Sequence, residues 1–325
     1  MKKENSLKPS LKNLAQANSS VLALLLVALA FFLLSHFVSS ARFSTVLHIS
    51  AFLALAAMGQ TLAFLLGGID LSVASLLSAS GILLCALISG SMPMIVCIII
   101  VLAASAVIGL LNGLGIALLN IPPLVMTVAM QYILRGITLV TTNGKPIAPK
   151  NDALSVWANK SVIFGLSGGI IILLCCVVLL TLILYKTKLG REIYFLGSNP
   201  EIAKMSGIKT RKVTIICYSL AAMLAGLAGV MLVGYTGTAA VRIGDSYLLP
   251  SIAAVLIGGT SPLGGKGGVI RTVIGAFILS NIISLLTVMQ MQEATRQIIE
   301  GGIVLLFIII NNVEFKKKVK IKATK

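Results

Sequence analysis

Acidic residues are scarce in this chain: nine Asp and Glu stand among 325 residues, against 26 Lys and Arg, with two His and one Trp. That shortage leaves little from which to build catalysis. No Ser/His/Asp set, no paired carboxylates within one segment and no His-Glu-x-x-His motif occurs, so chemistry within this polypeptide is not expected. An energy source is missing too. The segment Gly259-Thr260-Ser261-Pro262-Leu263-Gly264-Gly265-Lys266-Gly267 resembles a phosphate loop at first sight. It fails the spacing Gly-x4-Gly-Lys-[Ser/Thr], because Thr260 stands where the first Gly is required and Gly267 where the hydroxyl is. It reads as a glycine-rich turn, with Lys266 and Arg271 as anchors on the inner side of a membrane.

Cysteine offers no framework either. Cys85, Cys97, Cys175, Cys176 and Cys217 all lie inside apolar segments, without metal-ligand spacing, and read as buried small hydrophobes. His36 and His48 sit near segment ends with no carboxylate within a helical turn, and read as interfacial or packing residues.

What the chain has in excess is apolar surface. It is 58% hydrophobic and 11% charged, with mean hydropathy +1.05, where a soluble domain carries about 25% charged residues. This is the composition of an all-α protein that crosses a membrane many times. The net charge of +17 would suggest nucleic acid in a soluble protein. Here the cations gather in the first 12 residues, in 186–212 and after Glu314, so they are topology signals and nucleic acid is not expected as a partner.

Apolar runs place ten spans at about 21–39, 46–66, 71–89, 94–118, 123–141, 162–185, 213–233, 248–259, 269–289 and 297–313. The first follows Lys2, Lys3, Lys8 and Lys12 and reads as a retained signal anchor, because more membrane follows it. With residues 1–20 inside, six spans return 186–212 to the inside, and four more return the basic tail 314–325. That puts both termini in the cytoplasm, around a transmembrane domain covering 21–313. The segment 248–259 is short for a hydrocarbon core of roughly 30 Å and reads as half of a broken helix.

Within this frame, Asp70 stands out as the only acid between Glu4 and Asp152. An ionised Asp at a helix centre costs roughly 2.5 to 3.5 kcal/mol on insertion scales, so it should face a polar cavity, a partner or an interface. Gly67-Gly68 beside it suggest a broken helix. Ala63-Phe64-Leu65-Leu66-Gly67-Gly68 is echoed by Ala254-Val255-Leu256-Ile257-Gly258-Gly259, which fits either an internal repeat or chance in a Gly- and Leu-rich chain. Asp70 and Arg135 are the few ionisable candidates inside spans. Gln60, Thr61, Asn112, Thr127, Gln131 and Asn281 either line a hydrophilic path or bond neighbouring helices at about 0.6 kcal/mol each. Asn143 and Lys145 lie in an outer turn, and Trp157 reads as an interface anchor.

In the central basic loop, Asn199 is placed to cap a short helix from Pro200 to Ser206, with Glu201 at its positive end and Gly207 as its left-handed stop. Seven residues do not hold a helix in water alone. The segment therefore needs a surface, either as an ordinary connector on this chain's own helix ends or as a docking element for a cytoplasmic subunit. Ile202, Ala203 and Met205 would supply the apolar contact, framed by Arg191, Lys204 and Lys209.

Taken in order, Gly67-Gly68-Ile69-Asp70-Leu71-Ser72-Val73, Leu111-Asn112-Gly113, Arg135-Gly136 and Thr142-Asn143-Gly144-Lys145-Pro146-Ile147 resemble the membrane permeases of ribose-type monosaccharide ABC importers. The resemblance continues through Gly190-Arg191, Gly197-Ser198-Asn199, Ser206-Gly207-Ile208 and Tyr218-Ser219, then Ile252 to Ser261 with Gly264 to Gly267, and covers about 45–312.

The resemblance implies a permease in a bacterial cell membrane, paired with a second permease copy and surrounded by lipid. It implies a separate cytoplasmic ATP-binding subunit, which holds the ATP and Mg that this chain does not, and an extracytoplasmic sugar-binding protein. It also implies that Gly190, Arg191, Gly197, Asn199, Pro200, Glu201, Ser206 and Gly207 belong to the segment that couples to the ATPase. Ala74, where the family usually has Gly, and Pro262, where a small residue is usual, leave the cargo open between ribose, another sugar and a sugar-like signal such as autoinducer-2. A stand-alone secondary carrier and a membrane-embedded enzyme are the rival expectations.

Overall fold

A computed structural model describes residues 40–323, apart from 91, 150–152, 160, 164 and 165. The expected first span at 21–39, His36 and the N-terminal lysines lie outside the described residues.

Helices account for most of the described chain. In order they are α1 Ser40–Leu65, α2 Val73–Ser89, α3 Met94–Leu118, α4 Pro123–Thr142, α5 Ala153–Asn159, α6 Gly168–Lys186, α7 Lys188–Ser198, α8 Pro200–Met205, α9 Thr210–Thr236, α10 Leu248–Ile257, α11 Val269–Val288 and α12 Glu293–Ala323. Two short strands, β1 Ser161–Ile163 and β2 Leu166–Ser167, pair antiparallel where the sixth span was expected to begin, so that span starts only at Gly168.

Six of these helices are long and apolar enough to cross a membrane, α1, α3, α4, α6, α9 and α11, while α2 and α10 are shorter apolar helices. The 248–259 segment is accordingly a ten-residue helix, α10, entered through a 3-10 turn at Asp245–Tyr247. Helix α12 contains the tenth expected span and starts four residues earlier, at Glu293.

Turn chemistry explains where the helices stop. Pro122 and Pro123 open α4, where a missing N–H costs nothing, and Asn143 closes it at φ 52°. Packing explains how they assemble. Helix α9 lies at the centre against α1, α2 and α3. Small residues let the backbones approach: a Cβ on Gly59 would stand 2.7 Å from the Ala221 carbonyl oxygen, and one on Gly113 2.7 Å from Ile215 Cα. In hydrocarbon, where no hydrophobic drive draws helices together, close approach of this kind supplies the association energy.

Helix α1 is buried along almost its whole length, whereas α3, α4 and α6 turn most of their surface outward. Their outward residues, such as Ile99, Val140 and Leu179, are large and apolar, as lipid contact requires. Cys85, Cys97 and Cys217 are buried as expected, but Cys175 is exposed on the outward face of α6, because that helix is apolar all round and covers only one side.

Candidate functional site

One end of the bundle gathers the glycine-rich break after α1, the starts of α4 and α9, the helix pair α7–α8 and the turn after α10. Helix α1 ends when Gly67 adopts φ 76°, with its N–H donated to the Phe64 carbonyl and that of Gly68 to Ala63. Helix α10 ends the same way at Gly259, φ 74°, with Gly259 N donating to Leu256 O and Thr260 N to Val255 O. The two helix stops are therefore equivalent, but Gly67 matches Gly259, one residue out of register with the echo read from the sequence.

Between α1 and α2, Asp70 is buried and holds the chain in a tight turn. Its Oδ1 accepts from Ser72 N at 2.9 Å and from Ser72 Oγ at 2.5 Å. Three neighbouring helices hold this turn. Asn112 of α3 donates to Ser72 Oγ at 3.1 Å. Thr127 Oγ1 of α4 accepts from Leu71 N at 3.1 Å and donates to the Ile69 carbonyl at 3.3 Å. The Gln60 amide, oriented by the bonds it makes, donates to the Asp70 carbonyl at 3.0 Å and accepts from Asp70 N at 3.3 Å. The side chains of Asp70, Ser72, Gln60, Asn112 and Thr127 are all buried, so the backbone groups released by the break are paired again within the protein, as a membrane interior requires.

Of the expected path residues, then, Asp70, Gln60, Asn112 and Thr127 come together in one polar knot. The others stand apart. Thr61 bonds Thr272 Oγ1 at 2.8 Å and ties α1 to α11. Asn281 donates to the Phe277 carbonyl of its own helix at 2.5 Å. Gln131 is half-buried on α4, one turn beyond Thr127. Arg135 reaches Asp245 at 2.8 Å near the opposite end, where Arg242 meets the same oxygen, also at 2.8 Å. There the backbones of Ile147 and Ala239 bridge two loops.

The helix pair α7–α8 is built against both helix breaks. Thr187 caps α7 by accepting from Gly190 N at 3.3 Å. Asn199 caps α8 by accepting from Glu201 N and Ile202 N, both at 3.1 Å, and α8 stops at Gly207, φ 79°. The capped short helix is thus as the sequence indicates; the longer α7 before it is an addition.

Gly197 fits where no side chain can go. A Cβ there would overlap the Leu65 carbonyl oxygen and stand 2.7 Å from Gly265 N, and these two backbone groups bond each other at 2.9 Å. Tyr194 donates to the Gly267 carbonyl at 3.0 Å; burial pushes its phenol up, so it remains a neutral donor. Elsewhere in the pair, Ala203 is buried in the core while Phe195, Ile202 and Met205 are exposed, Met205 at 87%. These three are exposed apolar side chains on a loop otherwise rich in cations.

Sequence reasoning missed several residues. Ser72, the hub of the knot, and Tyr194 gave no signal beyond their place in motifs. Asp245 was visible as one of nine acids, but its pairing with Arg135 spans 110 positions. Glu300 lies within the expected last span and was passed over as an ionisable residue there. Among the described residues no group of His, Cys, Asp and Glu fit to hold a metal occurs.

Comparison with known proteins adds an independent line. The family described as "Branched-chain amino acid transport system / permease component" matches residues 42–309. The ribose import permease protein RbsC of Escherichia coli (strain K12) is 33% identical over 302 residues, covering 92% of this chain and 94% of that protein. The galactose/methyl galactoside import permease protein MglC of Haemophilus influenzae is 33% identical over 70% of each chain. The autoinducer 2 import system permease protein LsrC of Escherichia coli (strain SMS-3-5 / SECEC) is 31% identical over 91% of this chain and 87% of that protein. No solved structure matches.

Proposed function

The chain belongs to the branched-chain amino acid transport system / permease component family, and on that premise we propose that it is the membrane permease of an ATP-binding cassette importer that translocates a ribose-like monosaccharide. It is a multi-pass protein of a bacterial inner membrane and a transport subunit, not an enzyme. The ribose permease relative, matched over 92% of this chain, supports the cargo class. The autoinducer-2 permease, matched over 91%, supports a sugar-like signal as the second reading.

Energy comes from outside the chain. In our reading a separate cytoplasmic ATPase, carrying ATP and Mg, docks on the exposed apolar side chains of α7–α8, framed by Arg191, Lys204 and Lys209. An extracytoplasmic binding protein delivers the sugar to the opposite end, both termini lie in the cytoplasm, and two permease copies enclose the path.

The observation that carries this reading is the packing of α7 between two broken helices. Gly197 touches the end of α1 at Leu65 and the turn after α10 at Gly265. A push on the docking surface therefore reaches both breaks through rigid backbone contacts, as a rigid-body alternation between two packed states requires. The test is gentle solubilisation of the tagged chain from its native membrane, with mass spectrometry of what co-purifies. A stoichiometric protein with a phosphate-loop motif supports the proposal; its absence, together with ATP-independent transport, favours a lone carrier.

A further inference from the structure

Around the polar knot, three side-chain atoms are buried without a hydrogen-bond partner among the described residues: Asp70 Oδ2, Asn112 Oδ1 and Tyr218 Oη. Each of the three residues is only 1% exposed. The bonds of the knot explain why two of these atoms are left over. Ser72 Oγ gives its one proton to Asp70 Oδ1, so it can only accept from Asn112. That orients the Asn112 amide with Nδ2 toward Ser72 and Oδ1 away from it. Asp70 likewise uses Oδ1 on Ser72 and keeps Oδ2 free.

Tyr218 brings the missing donor. On α3, Asn112 continues the buried stripe of Ser105 and Gly109, which packs on Gly226 and on the Tyr218 backbone of α9. From α9 the Tyr218 side chain reaches the broken segment: a Cβ on Gly68, two residues before Asp70, would stand 2.5 Å from Tyr218 Oη. The hydroxyl lies close enough to the Asp70 carboxylate to feel its charge. The missing side chain of Gly68 thus leaves room for the hydroxyl, and one donor and two acceptors surround the knot without bonding one another.

We propose that one bound water joins these three groups, accepting from Tyr218 Oη and donating to Asp70 Oδ2 and Asn112 Oδ1, and that Tyr218 is thereby a positioning residue tying α9 to the break. A water uses each group in its own sense, and about three bonds to otherwise unpaired buried groups is the usual complement of an internal water. A metal ion fits less well: oxygen coordination would leave the Tyr218 proton without an acceptor, because the carboxylate and the amide oxygen would both face the ion. The link deepens the importer reading and rests on it for its role in transport. Helix α9 follows directly on the stop of α8 at Gly207, and Tyr218 lies about 12 Å along it from Thr210. Movement of the docking pair therefore has a second route to the break, through α9, Tyr218 and a water-mediated bond that re-forms as packing shifts.

The structural test is cryo-electron microscopy of the full-length chain in nanodiscs, held by a rigid antibody fragment, at a resolution that shows ordered water. The wild type should show one water-sized density at about 2.6 to 3.2 Å from Tyr218 Oη, Asp70 Oδ2 and Asn112 Oδ1, and Tyr218→Phe should lose it. Absence of that density, or a direct bond from Tyr218 to Asp70, overturns the proposal. So does an unfolding midpoint that differs between sodium, potassium and choline chloride at equal ionic strength in the wild type and not in Tyr218→Phe, which assigns the site a metal ion. The positioning role is read in sealed vesicles. Tyr218→Phe keeps the ring and its packing, and should lower the maximal uptake rate about fivefold, with the half-saturating sugar concentration and the amount of chain in the membrane unchanged; an unchanged rate overturns that role. The density is read on the chain alone, so it stands or falls separately from the importer reading, on which only the uptake measurement depends.

Discussion

The backbone of Gly197 is pressed against the carbonyl oxygen of Leu65, 132 positions earlier in the chain, with Gly265 N bonded to the same oxygen at 2.9 Å. Three segments thus meet through backbone atoms alone. Gly197→Ala inserts a methyl group into this junction, and overpacking of this kind costs about 1 to 3 kcal/mol. We expect a lower unfolding temperature in detergent and loss of ATP-driven uptake. Gly207→Ala meets only backbone strain, because the space around Gly207 is open, and should cost about 1 to 2 kcal/mol. Equal, negligible shifts for the two variants would contradict the junction's role.

Asp70 bonds the protein through Oδ1 alone, and Asn preserves that acceptor. Asp70→Asn should therefore slow transport or assembly moderately, by weakening the favourable acidic group at the start of α2, worth about 0.3 to 1 kcal/mol. Asp70→Ala strands the buried Ser72 N–H and should cost about 1 to 3 kcal/mol. Competition assays with several sugars check the role: an altered preference with normal assembly would make Asp70 a cargo contact instead.

Docking is tested at the surface of the helix pair. Met205→Glu places a charge on an 87% exposed apolar residue, and reversal of charge at Arg191 acts at the rim. Both should reduce co-purification of the ATPase at least about tenfold, a change of about 1.4 kcal/mol, with membrane insertion intact. Undiminished co-purification would place the contact elsewhere.

At the opposite end, Asp245 joins Arg135 and Arg242 through one oxygen, with about a third of the Asp245 side chain exposed. Asp245→Asn should destabilise the chain by about 0.2 to 1 kcal/mol per pair, and less at high salt. ATPase recruitment should not change, because this cluster lies away from α7–α8. Unfolding curves at low and high salt measure the effect.

The sequence shows most of the fold directly, because apolar runs, prolines and positive-φ stops act locally. Asn199, Pro200 and Gly207 mark α8 to within a residue, since a cap needs only its own neighbours. What it hides is non-local. Gly190 and Gly197 both lie within α7, where contacts with Leu184 and Leu65 demand the missing side chains, and nothing local announces those contacts. The bond from Asn112 to Ser72 spans 40 positions, and no pattern in the chain announces it. The glycine echo is real as a helix stop but slips by one residue, because the backbone selects whichever glycine takes positive φ: the first of its pair at Gly67, the second at Gly259.

The most direct measurement is uptake of labelled ribose into sealed vesicles containing the purified complex and its binding protein, with and without ATP. The account predicts accumulation that requires ATP and is abolished by Gly197→Ala. Accumulation that persists without ATP, at an undiminished rate, would contradict it.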